Sequence, residues 1–88
     1  MDRKKAKKII SEENLTNYNL FEEHPVKENE IVICKKNQNW CVFFTSERAT
    51  PEGIEEFATE EKALDSFIQR IRSNKIVLDY FTKKRSKE

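Results

Sequence analysis

Two apolar runs joined by a short polar turn constrain the fold of this chain more than any other feature. Segment 30–36 reads EIVICKK and segment 39–46 reads NWCVFFTS, and both are rich in β-branched or aromatic residues. Runs of this kind favour strands. The NQN between them tolerates the backbone conformations of a tight turn. The sequence therefore predicts an antiparallel hairpin over 30–46 at the centre of a sheet.

The register of this hairpin decides what its two cysteines face. If paired residue numbers sum to 75, Cys34 faces Cys41, and if they sum to 76, it faces Val42. A metal or redox pair usually has closer spacing and further ligands. We therefore interpret both cysteines as reduced, small apolar residues. Because both faces of 39–46 are apolar, it is predicted to be a central strand.

Two weaker segments extend the sheet. Residues 17–23 alternate only slightly and predict a short edge strand. Segment 53–58 reads GIEEFA, but Ile54 and Phe57 have opposite parity, so either a β-bulge intervenes or only part of it is strand. The expected sheet is antiparallel with three to four strands.

Helices are predicted on both sides of these strands, which gives an α+β fold. Asp2 is a suitable N-cap for a first helix that ends near Glu13. Thr59 is a suitable N-cap for the main helix over 59–73, and apolar residues recur there at helical spacing. RSN interrupts the pattern, so 74–83 is predicted as a second short helix or a kinked continuation.

The 88 residues are sufficient for a single domain over 1–88. Its formal net charge of +1 hides a strong segregation. Residues 1–8 hold five basic and one acidic residue, and 82–88 hold four and one, which leaves 8 basic and 14 acidic residues between them. The body is therefore acidic, and the basic ends are expected to fray at 1–5 and 83–88.

No apolar stretch has the length of a signal-peptide core or of a membrane span. We therefore expect a cytoplasmic protein.

Catalytic chemistry has little support in the sequence. His24, the only histidine, has no visible partner and is interpreted as a solvated loop residue. The glutamates lie in stretches that look exposed, and no phosphate-binding glycine loop or nucleophile motif occurs. We expect no enzyme, no catalytic residues, no cofactor and no metal site.

The basic ends allow an alternative function. A small nucleic-acid-associated accessory protein could act through residues 3–8 and 83–87, since lysine clusters attract phosphate. The body between them is acidic and lacks the interleaved aromatic residues of a stacking surface. Nucleic acid is therefore the less favoured partner.

Negative charge is concentrated in 47–61. Helix initiation explains the last two glutamates of this segment, whereas the three central ones have no visible structural role. Such a surface suits a basic partner. Trp40 is interpreted as a core lid, with an interface anchor as the alternative. The predicted partner-binding residues are Glu47, Glu52, Glu55, Glu56, Glu60, Glu61 and Trp40.

The order of segments resembles a known family. The pieces that carry the resemblance are KKAKKIISEENLTNYNLFEE, KENEIVICKKNQNWCVFFTSER, and FATEEKALDSFIQRIR followed by DYF. Together they resemble the small immunity proteins of bacterial polymorphic toxin systems, and in particular immunity protein family fifty-nine. The resemblance implies an α+β fold and inhibition of a cognate toxin domain by direct binding. Many such toxins are basic nucleases, which an acidic inhibitor would suit, but the resemblance transfers no contact residue.

Overall fold

The computed structural model describes residues 1–86, with side chains described for 1–77, 79 and 80. Two helices flank a four-stranded sheet whose strand order follows the chain, β1-β2-β3-β4. The elements are α1 (Arg3–Glu12), β1 (Tyr18–Leu20), β2 (Ile31–Lys36), β3 (Asn39–Thr45), β4 (Pro51–Phe57) and α2 (Glu60–Ser86).

Helix α1 begins and ends where the sequence predicts. The Asp2 carboxylate accepts a hydrogen bond of 2.8 Å from the backbone N–H of Lys5, which satisfies one of the free donors of the first turn. After the helix, Asn14 adopts a φ of 53°, a left-handed conformation that asparagine tolerates. Ala6 and Ile10 form the buried face of α1.

The predicted hairpin is confirmed as β2 and β3. Cys34 pairs with Cys41, so the register is the one in which residue numbers sum to 75. Asn37 opens the turn with a φ of 58°. Both cysteines are free thiols. Burial, together with the nearby Cys41 and Glu22, raises the pKa of the Cys34 thiol.

The expectation of an entirely antiparallel sheet is wrong, because β1 runs parallel to β2. The predicted edge strand does form, but the chain then crosses the sheet over residues 21–30 before β2 begins. Parallel neighbours need such a crossover, since the second strand must start at the same end as the first. The backbone N–H of Phe21 donates to the Ile33 carbonyl, and that of Ile31 donates to the Asn17 carbonyl.

Strand β4 contains the bulge that the parity of its residues suggested. Val42 pairs with Glu55 and Phe44 pairs with Glu52, so two residues of β4 lie opposite one residue of β3. Gly53 is one of the two and has a φ of 61°. A Cβ atom here would lie 2.8 Å from Cε1 of Phe44, so the close approach also requires glycine.

Helix α2 continues through RSN, so of the two alternatives for 74–83 a separate second helix is wrong and a continuation of the same helix is what the structure has. RSN contains neither proline nor glycine, the residues that most strongly disfavour a helix. Arg72, the first residue of RSN, pairs with the Glu13 carboxylate, and Lys75, just beyond RSN, donates to the Glu13 carbonyl at the end of α1. The predicted cap is confirmed, since Thr59 Oγ1 accepts from the Lys62 N–H at 3.3 Å. The predicted fraying of 83–88 lies outside the described side chains.

The core lies between α2, α1 and one face of the sheet. Among the α2 side chains that the structure describes, every buried one lies between Ala63 and Ile71. Phe67, in the middle of this stretch, meets Tyr18 edge-to-face with ring centroids 6.3 Å apart. The described side chains after Ile71 therefore lie at or beyond the edge of the core. The core cluster is Ala6, Ile10, Leu15, Leu20, Ile31, Ile33, Val42, Ala63, Leu64, Phe67, Ile68 and Ile71.

Candidate partner-binding surface

Strand β4 is an exposed edge strand. Only Phe57 at its end is half-buried, while residues 51–56 are all exposed. The backbone N–H of Thr45 donates to Glu30 beside β2, so alternation directs the neighbouring Phe44 and Val42 toward β4. The backbone groups of their partners in β4 face inward, which directs the backbone of Glu56 and the carbonyl of Ile54 to the open side.

The glutamates of β4 lie on both faces of the sheet. Glu52 and Glu55 pair with Phe44 and Val42 and share the face that α2 covers. Glu56 pairs with Cys41 and lies on the opposite face. The edge therefore presents negative charge both above and below the sheet.

Glu55 has a structural partner, so the expectation that it has no structural role is wrong. Arg70 of α2 donates to Glu55 Oε1 at 2.9 Å and to the Gly53 carbonyl at 3.1 Å. A further contact of 3.4 Å reaches the Val42 carbonyl. Arg70 thus joins α2 to the bulge of β4, a contact across 15 residues of sequence that no local pattern could reveal.

Glu60 also has a partner, because Arg3 of α1 donates to its carboxylate at 2.7 Å. The Arg3 guanidinium additionally lies 3.7 Å from the ring centroid of Phe21. No ion pair is found for the remaining predicted acidic residues within the part of the chain that the structure describes. These exposed glutamates are Glu47, Glu52, Glu56 and Glu61.

Trp40 is half-buried and packs against the core cluster. It pairs with Phe57 across the β3–β4 ladder, and Lys35 Nζ lies 5.3 Å from the ring centroid. Its surroundings are those of a core lid, and its role in partner binding remains a prediction.

An open groove of about 480 Å³ lies on the face that α2 covers, next to the bulge. Its walls include Phe44 and Gly53 from the sheet and Arg70 and Val77 from α2. Phe44 is 43% exposed and Val77 is 50% exposed. The sequence predicted Phe44 as an ordinary strand residue, because its alternation matches that of the buried Val42.

The second half of α2 exposes further apolar side chains. Ile76 is 69% exposed and Tyr80 is 61% exposed, close in sequence to Val77 on the groove. Ile76 and Tyr80 lie four residues apart and therefore share one side of the helix. Exposed apolar side chains concentrated in one region are typical of an interaction site.

A buried polar cluster holds the crossover on the face away from α2. Glu30 is 5% exposed, and its carboxylate accepts from the Lys27 N–H at 2.7 Å and lies 2.9 Å from His24 Nε2. Asn19 Nδ2 donates to the His24 carbonyl at 2.9 Å. Burial opposes ionisation of Glu30, but these hydrogen bonds prevail and hold its pKa below the ordinary value. The interpretations of His24 as partnerless and of Glu30 as exposed are therefore wrong.

The basic ends are only partly available for nucleic acid. Arg3 is engaged by Glu60, and Lys8 lies 3.9 Å from Glu12. The C-terminal basic residues 83–87 lie outside the described side chains.

The described residues contain no group of three or more histidine, cysteine or acidic side chains placed to hold a metal ion. In the same part of the chain, no helix has the length and apolar character needed to cross a membrane. The arrangement that stands out is an acidic sheet edge beside an apolar groove, a geometry suited to binding another macromolecule.

The fold and this surface define a small α+β protein with an exposed, acidic sheet edge. The family model for immunity protein 59 matches residues 1–85, and the chain belongs to this family. The predicted resemblance is thereby confirmed, and membership supports an immunity role. A search of the curated proteins and a search of the solved structures each found no significant match.

Proposed function

We propose that this protein neutralises a cognate bacterial toxin domain by binding it stoichiometrically and covering its working surface. The proposal is carried by one observation: a member of the immunity protein 59 family presents an acidic sheet edge directly beside an apolar groove. Inhibition of this kind requires no catalytic group. The protein acts in the cytoplasm as a binding protein and not as an enzyme.

The two parts of the surface have different roles in binding. Phe44 and Val77 give the groove apolar area that a partner can bury, and burial of such area supplies most of the affinity of protein interfaces. The exposed glutamates around it steer a positively charged partner and raise the association rate. Among the glutamates of β4, Glu52 and Glu56 are best placed to steer a partner, because the Glu55 carboxylate already binds Arg70.

Charge complementarity favours a basic toxin. The chain between the basic ends holds 14 acidic and 8 basic residues, and its exposed glutamates include four without an ion pair among the described residues. A domain that binds a nucleic-acid backbone carries the opposite charge. A nuclease domain is therefore the favoured class of toxin, and the acidic surface would occupy the region that otherwise contacts phosphate.

Co-expression tests this function. The toxin domain encoded beside this protein is produced in a susceptible host with either the wild type or an empty vector. We expect growth only with the wild type, and a one-to-one complex on size-exclusion chromatography with light scattering. Equal growth arrest in both strains, with no complex, would reject the proposal.

A further inference from the structure

The open side of β4 is a hydrogen-bonding surface with no strand partner among the residues that the structure describes. Its neighbours in the sheet are on one side only, and residues 51–56 are exposed. The register with β3 directs both backbone groups of Glu56 outward, together with the Ile54 carbonyl, which belongs to the same peptide unit as the inward Glu55 N–H. An unpaired edge of this length is a template for another strand.

The charges on β4 disfavour a second copy of this chain at that edge. Three of its seven residues are glutamates, Glu52, Glu55 and Glu56, and pairing two such strands would bring like charges close together. Glutamate is also uncommon in strands. The same charges attract a strand that carries lysine or arginine at the facing positions.

The side chains beside the outward backbone groups define what the incoming strand should carry. Ile54 is 58% exposed, and Glu56 is exposed on the same face, two residues further along the strand. A strand that pairs here places one side chain opposite Ile54 and another opposite Glu56. An apolar residue at the first position and a basic residue at the second complement them.

We propose that β4 accepts a basic β-strand of the toxin domain as a fifth strand of the sheet. This inference rests on the proposed function and specifies how the partner is recognised. Main-chain hydrogen bonds to Ile54 and Glu56 provide the pairing, and the glutamates select the charge of the strand. The Arg70 contacts hold the bulge, and with it the adjoining strand, in position for this pairing.

Residue-resolved hydrogen exchange tests the pairing directly. The probe is the toxin domain encoded beside this protein, inactivated so that it can be prepared. We expect the Glu56 amide to exchange rapidly in the free protein and at least about tenfold more slowly in the complex. The inward Glu55 amide serves as the internal control, since it is already bonded to β3 and should change little.

A pair of variants separates the contribution of the Glu56 main-chain N–H to binding from the contribution of its carboxylate. Glu56→Pro removes the outward N–H, and proline is tolerated on the open side of an edge strand. Glu56→Ala removes only the carboxylate. We expect Glu56→Pro to bind the toxin about tenfold more weakly than Glu56→Ala, the effect of one lost hydrogen bond of about 1.4 kcal/mol. Circular dichroism melting confirms that both variants fold.

The possible results test this inference separately from the proposed function on which it rests. If the wild type does not bind the toxin domain, the proposed function is overturned and the inference with it. If the wild type binds but the Glu56 amide remains unprotected, the inference alone is overturned and the immunity role stands. Protection that develops with concentration in the absence of toxin would assign the edge to a second copy and would also overturn it.

Discussion

Arg70 Nη2 lies 2.9 Å from Glu55 Oε1, and this pair connects the middle of α2 to the edge strand β4. The same guanidinium donates to the Gly53 carbonyl at 3.1 Å, so one side chain joins the helix, the bulge and the acidic edge. Arginine suits this position because its planar group offers several donors in fixed directions. The acidic edge is therefore fixed to the core by a helix residue and not by its own packing.

Replacing Arg70 with alanine should destabilise the fold by about 1 kcal/mol, because it removes exposed hydrogen bonds to the Gly53 carbonyl and to Glu55, whose acceptors water can then solvate. Urea unfolding measures the difference in the free energy of unfolding. Arg48→Ala, at an exposed arginine in the turn before β4, is the control and should change it by less than about 0.5 kcal/mol. Equal effects of the two substitutions would show that the Arg70 contacts contribute nothing.

Gly53→Ala should cost about 1–2 kcal/mol, since its φ of 61° disfavours a Cβ atom and that atom would approach Phe44 to 2.8 Å. Thermal melting gives the loss. The reverse change Ala49→Gly, at a φ of 59°, should leave stability unchanged or increase it. A Gly53→Ala variant as stable as the wild type would contradict the bulge geometry.

Glu30 should make the protein sensitive to acid. Its folded-state pKa is lowered, so its stabilising effect is complete above the unfolded-state pKa and is lost as the pH falls through the folded-state value. Glu30→Gln should lower stability at pH 7 by about 1–3 kcal/mol and flatten the acid side of the stability profile. Urea unfolding from pH 7 down to pH 3 measures both effects.

The matched control for this prediction is Glu28→Gln, at an exposed glutamate in the same crossover. It should retain the acid sensitivity of the wild type. An unaltered pH profile in Glu30→Gln would show that the buried carboxylate is not the group responsible.

Reversing Glu52 and Glu56 to lysine should slow association with the toxin domain about tenfold at low salt and weaken the salt dependence. These two glutamates are chosen because neither has an ion pair within the described residues, whereas reversal of Glu55 would also break its bond to Arg70. Stopped-flow mixing at several salt concentrations gives the rates. The control reverses Glu23 and Glu28, which are exposed elsewhere and have no ion pair within the described residues, with the same change in net charge. Identical rates for the two double variants would exclude local steering by β4.

Phe44→Ala should weaken toxin binding by about 2 kcal/mol, as expected for an aromatic side chain that anchors an interface. Calorimetric titration gives the affinity. Val26→Ala provides a control of similar exposure, since Val26 is 40% exposed and Phe44 is 43% exposed. If both variants bind like the wild type, the groove lies outside the interface.

Local patterns in the sequence predicted the fold where neighbouring residues determine it. Alternation predicted the hairpin, and the opposite parity of Ile54 and Phe57 indicated the bulge. The parallel pairing of β1 was not predictable, because three residues are too few to show periodicity and the crossover 21–30 has no regular pattern. The sequence left open whether α2 ends or continues at RSN, since a gap in apolar spacing does not show by itself that a helix ends there.

The sequence predicted the negative charge of the candidate surface but not the contacts that its residues make with the rest of the fold. The acidic composition of 47–61 is visible in the sequence, whereas the Arg70–Glu55 pair joins residues 15 positions apart. Glu30 was misread because a single glutamate in a charged loop carries no local sign of burial. Long-range contacts of this kind depend on the packing of elements against one another, which residue order alone does not specify.

The exposure of β4 separates the residues that maintain the fold from those that meet a partner. Residues 51–56 contribute almost nothing to the core, so substitutions there cost little stability except at Gly53 and at Glu55, which binds Arg70. A lineage whose toxin changes can therefore replace these side chains one at a time without first acquiring compensating mutations. Gly53 and Arg70 limit such divergence, because they maintain the bulge. We therefore expect the exposed side chains of β4 to vary with the toxin while the bulge is retained.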